Sequence, residues 1–487
     1  MTSSQQTRTN TAHYQGTDKL IAGIVLAVIT FWLFAQTTLN IAPVMQEDLN
    51  ISHTLNNLAV SITALFSGIF IVVAGGLADR LGRVKLTNVG LLLSVIGSVL
   101  IVLSPSGTAV FLITGRILQG LSAACIMPAT LALMKAYYEG KARQRALSFW
   151  SIGSWGGSGF CSLFGGLVAS TMGWRWIFVL SVIVAVISYL LIRGTPESKA
   201  KATDKKAFDW SGLIAFVIAM LAINIVIGQG ASLGWISPAI LIGFAVFIIS
   251  TVVFLWIENR SENGFVDLSL FKNRTFSGAS LSNFLLNGAA GTLLVSLALV
   301  QAEAGLSSLQ SGLITVGYLV AILSTIRVGE KLLQKMGPRK PMLLGCSITG
   351  VGIVLTSLTF LLAKEYIIAS FIGFTLFGVG LGFYATPSTD AALSNVPDDK
   401  AGSASGIYKM ASSLGAAFGV AISGAIFYGL SQREGAPPLA AMFMGRTDNA
   451  GVRFAAGIGL LFNVFMVIVA IVAILLTIPR SSPEEAS

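Results

Sequence analysis

The sequence predicts an all-α polytopic membrane protein, and three observations carry that prediction. Of the 487 residues 54% are hydrophobic and only 11% charged, with a mean hydropathy of +0.81, whereas a soluble domain carries about 25% charge. The apolar residues gather into runs of about 20, the length that crosses a bilayer as a helix. The cations gather in alternate connections between those runs, as they do when one set of loops lies in the cytoplasm.

In order, the runs lie near 20–42, 56–77, 86–104, 108–134, 146–170, 173–193, 209–229, 234–257, 275–302, 309–327, 341–363, 366–392, 403–429 and 453–478. Fourteen runs place both termini on the same side. With that side taken as the cytoplasm, the external segments hold only Arg175, Lys364, Arg433, Arg446 and Arg453. Arg116 and Lys409 fall within spans, and the remaining Lys and Arg are cytoplasmic. The net charge of +10 therefore reflects topology and not a nucleic-acid partner. Residues 1–19 and 479–487 read as cytoplasmic tails. The first run is of full span length with no small-residue cleavage site behind it, so no removable signal is expected. Cys125, Cys161 and Cys346 fall in apolar runs and read as small core residues, not as a disulfide framework.

The most informative connection is Gly75 to Lys85, GGLADRLGRVK, between the second and third runs. Two spans joined so briefly form a hairpin, and Arg80, Arg83 and Lys85 put its tip in the cytoplasm. Gly75 and Gly82 allow close backbone approach and tight turning. Asp79 is placed to cap a helix end or to pair with an arginine. Charge alone would fit any cytoplasmic loop. The order G-x-L-A-D-R-x-G-R, however, resembles the loop between spans two and three of the major facilitator superfamily. The resemblance implies a conformational gate built on Gly75, Asp79, Arg80, Gly82 and Arg83.

The motif has an echo. Between spans ten and eleven, Leu332 to Lys340 reads LLQKMGPRK. With Gly337 set against Gly82, Leu332 falls on Leu77, Gln334 on Asp79 and Lys335 on Arg80, so the second copy keeps the turn and the charge but lacks the carboxylate. A major facilitator fold would then comprise two six-helix halves, 20–193 and 275–478, as parallel repeats around a central cavity. Residues 194–274 would hold a basic linker and an inserted helix pair, spans seven and eight. Behind that pair, Phe265 to Phe276 (FVDLSLFKNRTF) mixes apolar and charged residues and reads either as an interfacial segment or as a plain connector.

Further stretches extend the resemblance over nearly the whole chain. Arg116 to Gly120, RILQG in span four, matches the family's R-x-x-x-G pattern. Span five carries Gly153, Gly156, Gly157, Gly159, Gly165 and Gly166, which favour close helix contact and bending. Where the drug-exporter branch places Gly-Pro ahead of a Gly-Gly pair, this chain has Cys161-Ser162 ahead of Gly165-Gly166, so the proline kink is missing. Leu268 to Phe276, and Gln301, Gly305, Ser307 and Gly312, resemble segments of the fourteen-span drug:proton antiporters. AVSITALFSG, RILQGLSAACIMPATL, SIGSWGGSG and ATPSTDAALSNVP look most like the NorB-type quinolone and multidrug exporters, with the QacA type more distant.

A proton-driven antiporter needs a group that titrates while exposed alternately to the two sides. Fourteen-span antiporters often carry an aspartate in span one within D-x-T-x-x-N; here Ala35, Thr37 and Asn40 stand at those positions, so it is absent. The acids at or near spans are Asp79, Glu303, Glu365 and Asp390. Asp390, behind ATPST near the cytoplasmic end of span twelve, is the preferred coupling group. Lys409, on the antiparallel neighbour, is expected to pair with it, a static ion pair being the alternative. Arg116, costly at mid-membrane, is either a coupling partner or a strap that bonds helix carbonyls. For an aromatic amphipathic substrate, Phe31, Trp32, Phe34 and Asn40 in span one and Asn283, Phe284 and Asn287 in span nine are the contact candidates. Asn283 and Asn287 share one helix face; lipid contact or packing is the other reading of the aromatic residues. The outer loop from Gln432 to Gly451 is either a cover for the outer mouth or unstructured.

The resemblance thus implies proton-coupled efflux of amphipathic drugs by alternating access, across a cell membrane spanned many times with both termini cytoplasmic. Partners would be small-molecule drugs, protons and the lipid bilayer; a monomer without cofactor or metal is expected. A uniporter or symporter of one endogenous metabolite is the alternative within transport, for which the missing proline motif leaves room. A membrane-embedded enzyme is disfavoured. His13 and His53 are the only histidines and neither lies in a span, so no His-box site is available. No G-x-x-x-x-G-K-S/T loop for ATP occurs, and a two-half repeat disfavours a channel.

Overall fold

Apolar runs in lipid must bond their own amides and carbonyls, and the α-helix does so within a single segment. The computed structural model accordingly contains helices and no strand among its described residues, which are 14–199, 209–260, 268–306, 313–431, 435, 439–444 and 449–480. The helices are α1 (Asp18–Ile29), α2 (Thr38–Leu49), α3 (His53–Leu81), α4 (Arg83–Val102), α5 (Val110–Tyr137), α6 (Gly140–Ser151), α7 (Gly157–Thr171), α8 (Arg175–Ile192), α9 (Trp210–Leu233), α10 (Pro238–Arg260), α11 (Arg274–Gly288), α12 (Gly291–Ala304), α13 (Val316–Met336), α14 (Arg339–Thr356), α15 (Ala363–Ser394), α16 (Ala401–Ser431) and α17 (Ala450–Thr477). Two π-helical stretches, Thr30–Ala35 behind α1 and Ile152–Gly156 between α6 and α7, interrupt the α-helical register of spans one and five.

Among the described residues eleven helical segments are long and apolar enough to cross a membrane. Helix also occupies most of the three remaining expected runs. The run at 146–170 is divided by its π stretch, and α13 carries Arg327, Glu330, Lys331 and Lys335. The helix α14 begins with Arg339 and Lys340 and stops at Thr356, short of the expected residue 363.

Packing repeats between the first part of the chain (α1–α8) and the second (α11–α17). The helix α5 lies against α3 and α4, and α8 against α1 and α4; likewise α15 lies against α13 and α14, and α17 against α11 and α14. The contacts between the parts repeat too: α3 meets α16 as α13 meets α6, and α5 meets α16 as α15 meets α6. The helices α9 and α10 pack on each other, with α9 reaching α3 and α16 at the seam. Only 11% of the apolar window of α10 is buried; Leu241, Ile249, Val252 and Trp256 turn outward, as on a lipid-facing surface.

Both motif copies turn on a glycine at positive φ, +121° at Gly82 and +70° at Gly337, where a side chain would be strained. A Cβ at Gly82 would also strike the Glu197 carboxylate. That carboxylate accepts the backbone N–H groups of Val84 and Lys85, 2.9 Å each, and so caps α4. At the opposite end of the bundle Asp48 accepts from Trp174 Nε1 (3.1 Å) and from Arg175. Partial burial pushes the Asp48 carboxyl up, but these two donors outweigh it and hold it below its ordinary 3.8. The stretch read either as an interfacial segment or as a plain connector contains, among its described residues, one short 3-10 turn, Leu268–Lys272, with Leu270 buried and Phe271 exposed. Residues 265–267, Ser307, Gly312 and half of 432–451 lie outside the described residues.

Candidate functional site

The end of α15 and the start of α16 lie a few residues apart, and two such helix ends carry opposite partial charges. The first part of the chain grips both. At the N-terminus of α16 the Asp79 carboxylate accepts the backbone N–H groups of Gly402 (2.8 Å) and Ser403 (2.9 Å). At the C-terminus of α15 the Lys135 ammonium donates to the carbonyls of Leu393 and Val396. Both side chains are buried, so they satisfy backbone groups that water would otherwise hold. Lys135 also lies 3.5 Å from Asp398, but that side chain is 86% exposed and the pair adds little.

Arg83 braces this grip. Its Nη2 and Nε donate to Asp79 at 2.9 and 3.2 Å, its Nη1 donates to Ser198 at 3.0 Å, and Nη2 also reaches the backbone carbonyl of Asp398. Helices α3 and α16 touch here without side chains between them: a Cβ on Gly75 would lie 2.4 Å from the carbonyl oxygen of Gly402, and the converse holds for Gly402. Gly75, Asp79, Gly82 and Arg83 of the expected gate are thus brought together, while Arg80 stays at the surface.

The expected pair of Asp390 with Lys409 does not form. Asp390 is buried and meets Arg143 at the start of α6, 3.2 Å away, with Gln144 at 3.5 Å; Arg143 also donates to Ser394 at 2.7 Å. The reason is packing, since the neighbour that reaches Asp390 is α6, from the first part of the chain, rather than α16. Lys409 turns instead to two indole rings, with its Nζ 4.8 Å from the ring centre of Trp150 and 5.9 Å from that of Trp32. It is 8% exposed, and among the described residues its ammonium has neither a hydrogen bond nor an ion pair. Trp150 donates its Nε1–H to Thr130 (3.0 Å), whereas the Nε1–H of Trp32 is buried without an acceptor.

Arg116 is 1% exposed and takes the geometry of a strap. Its guanidinium donates to the carbonyls of Ala35 (2.8 Å), Ala59 (3.0 Å) and Val60 (3.4 Å) and to Gln119 Oε1 (2.8 Å), tying spans one, two and four, with no carboxylate among these partners. Phe31 and Phe34 are packed rather than presented: Phe31 lies edge-on to Trp32 (5.1 Å) and Phe34 edge-on to Phe164 (5.2 Å). The side chain of Asn40 lies outside the described residues. Asn283 donates to the Tyr408 carbonyl (3.0 Å) and Ser412 Oγ (2.6 Å), while Asn287 donates to Asn283 (2.8 Å), so of the two amides Asn283 is the one bonded to α16. Sequence reasoning assigns no role to Lys135, Glu330, or Arg143 and Trp150, the ends of the stretch RQRALSFW that leads into span five. Glu330, buried beside Arg327 and Gln334, sits beyond residue 327, where span ten is expected to end; the helical period continuing to Met336 is the signal that locates it.

The sequence profile of the Major Facilitator Superfamily matches residues 23–420 and again 279–487. The Quinolone resistance protein NorB of Staphylococcus aureus (strain MRSA252) is 51% identical over 472 residues, covering 97% of this chain and 98% of that protein, and NorB of strain COL matches equally. Among solved structures, the proton:xylose symporter XylE bound to 6-bromo-6-deoxy-D-glucose superposes with a TM-score of 0.63 at 15% identity, covering 95% of this chain and 96% of its own. A bacterial homologue of the iron transporter ferroportin, in an outward-facing state, gives 0.61 at 12% identity, covering 93% and 98%. At these identities the two structures show a likeness of fold alone.

Proposed function

We propose, for a chain that belongs to the major facilitator superfamily, proton-coupled efflux of amphipathic drugs, quinolone-like compounds among them, by alternating access. Membership makes the chain a multi-pass membrane transporter and not an enzyme. The observation that carries the substrate class is the 51% identity to a quinolone resistance protein over nearly the full length of both chains.

The geometry supports the mechanism. We take the fold as fourteen spans, with halves 20–193 and 275–478, the inserted pair within 194–274, and the tails 1–19 and 479–487 cytoplasmic in a monomer of the cell membrane. The repeated packing favours that division. The basic end is then cytoplasmic, and the grip of Asp79 and Lys135 on α16 and α15 holds that end closed. Asp390 joins the halves through Arg143. A proton arriving from the outer cavity neutralises Asp390 and frees Arg143, so the cytoplasmic end opens. The hydrated carboxyl then loses its proton to the cytoplasm, drug enters, and the pair re-forms on closure. Coupling follows because proton and drug differ in affinity between the two states. Arg116 takes the strap role, and Asn283, to which Asn287 bonds, holds span nine to span thirteen.

The test is fluorescent-drug uptake into everted vesicles under an imposed pH gradient. Uptake that stops when the gradient is collapsed is the expected result. Uptake indifferent to the gradient overturns proton coupling and favours a uniporter.

A further inference from the structure

Among the described residues, buried cations have partners, with one exception. Arg83 meets a carboxylate, and Lys135, Arg116 and Arg453 meet carbonyls. Lys409, 8% exposed, has neither among the described residues. Its surroundings are the Trp150 and Trp32 rings, whose faces attract a cation but leave its three donors unused. Burying an ammonium in this way is costly. A second donor in the same cluster is also unanswered, the buried Nε1–H of Trp32.

The local backbone is unusual too. Trp32 lies within one π-helical stretch, Thr30–Ala35, and Trp150 stands two residues ahead of the other, Ile152–Gly156. Such interruptions of helix register recur at functional sites. A cation and an indole N–H, both lacking acceptors and bounded by flat ring faces, match the chemistry of an aromatic carboxylate: its charge answers the donors and its ring stacks on the indoles.

We infer that Lys409, Trp32 and Trp150 anchor the carboxylate of an aromatic anionic or zwitterionic substrate. The inference rests on the efflux reading and narrows its substrate class. Trp32 and Trp150 come from the first part of the chain and Lys409 from the second. A ligand held here bridges the two, and their separation dismantles the anchor. Affinity then differs between conformations, as transport requires.

The experiment measures binding to the full-length protein in detergent of a matched pair of probes, 1-naphthoate and 1-naphthamide. We expect wild type to prefer the carboxylate at least tenfold. Lys409→Met abolishes that preference by weakening carboxylate binding at least tenfold more than amide binding, and Lys409→Arg, which keeps the charge, retains it. Equal affinity of wild type for the two probes, no binding of either, or a preference that survives Lys409→Met overturns the anchor. Export of ethidium, a cationic aromatic dye, is followed in parallel in everted vesicles. Gradient-driven dye export alongside any of these overturning results leaves the efflux reading standing, and loss of dye export from wild-type vesicles marks failure of the efflux reading itself.

Discussion

Asp79→Asn tests the closed end most directly. The side chain keeps its size, but one oxygen becomes an amide NH2 and the negative charge is lost. Arg83 belongs to the same hairpin and moves with Asp79, so that pair contributes in both conformations. The bonds from Gly402 and Ser403 come from the other part of the chain and exist only while the end is closed. Two charge-assisted hydrogen bonds at about 1.5–3 kcal/mol each, less what the remaining asparagine oxygen retains, give a loss of about 2–4 kcal/mol to the closed state alone. At 1.4 kcal/mol per tenfold this shifts the closed-to-open ratio by roughly 30- to 700-fold. Spin labels at the exposed Leu81 and Asp399, on a background lacking Cys125, Cys161 and Cys346, span the contact. Pulsed dipolar spectroscopy is expected to show a longer-distance population that wild type lacks. Gly402→Ala should give the same population, because its Cβ would sit 2.4 Å from the Gly75 carbonyl oxygen. Wild-type distance distributions in both variants, with both still folded by thermal melting, would falsify the grip.

Three further outcomes are expected. Asp390→Asn leaves Arg143 without its carboxylate and should reduce gradient-driven drug uptake at least tenfold at equal expression; full coupled transport would remove Asp390 from the cycle. Arg116→Lys keeps the charge but cannot hold the acceptors at Ala35, Ala59, Val60 and Gln119 together. Two lost buried bonds at about 1–3 kcal/mol each should lower Tm by several degrees in detergent, whereas an unchanged Tm would mean that charge alone matters there. The Asp48 carboxyl, held below 3.8 by Arg175 and Trp174 against its partial burial, adds stability that is present above pH 3.8 and lost as pH falls through the lower folded value. Asp48→Asn should therefore cost stability at pH 7 and nothing at the acid end, as read by melting across pH; a cost independent of pH refutes the assignment.

Much of the architecture is legible because lipid permits so few solutions. A run of apolar residues has to be helical, and the Gly82 turn with its echo at Gly337 announces two hairpins of one design. What escapes the sequence is which side chain crosses the seam. Asp390 and Lys409 are near neighbours along the chain, so proximity argues for a pair, yet Arg143, 247 residues away, is the cation that reaches the carboxylate. Lys135 looks like one more basic residue at a cytoplasmic helix end, and its acceptors are backbone carbonyls, which no sequence pattern marks. The π stretches at Thr30–Ala35 and Ile152–Gly156 are equally silent, because a one-residue shift in hydrogen bonding leaves composition untouched.

On the proposed mechanism the closed end must also open, and its chemistry suits that. An apolar seam loses about 25 cal/mol for each Å² returned to water, so a large one would lock the transporter shut. Here α3 and α16 meet through Gly75, Gly402 and Gly406, which bring the backbones together. The adhesion comes from Asp79 and Lys135 on helix ends, and from Arg143 on Asp390. Water can replace every one of these partners when the halves part, so the net cost per bond falls to the small difference between a protein and a solvent hydrogen bond. On the proposed alternating-access mechanism, ionic closure over a glycine contact would keep the two conformations within a few kcal/mol, near enough for one proton or one drug molecule to choose between them.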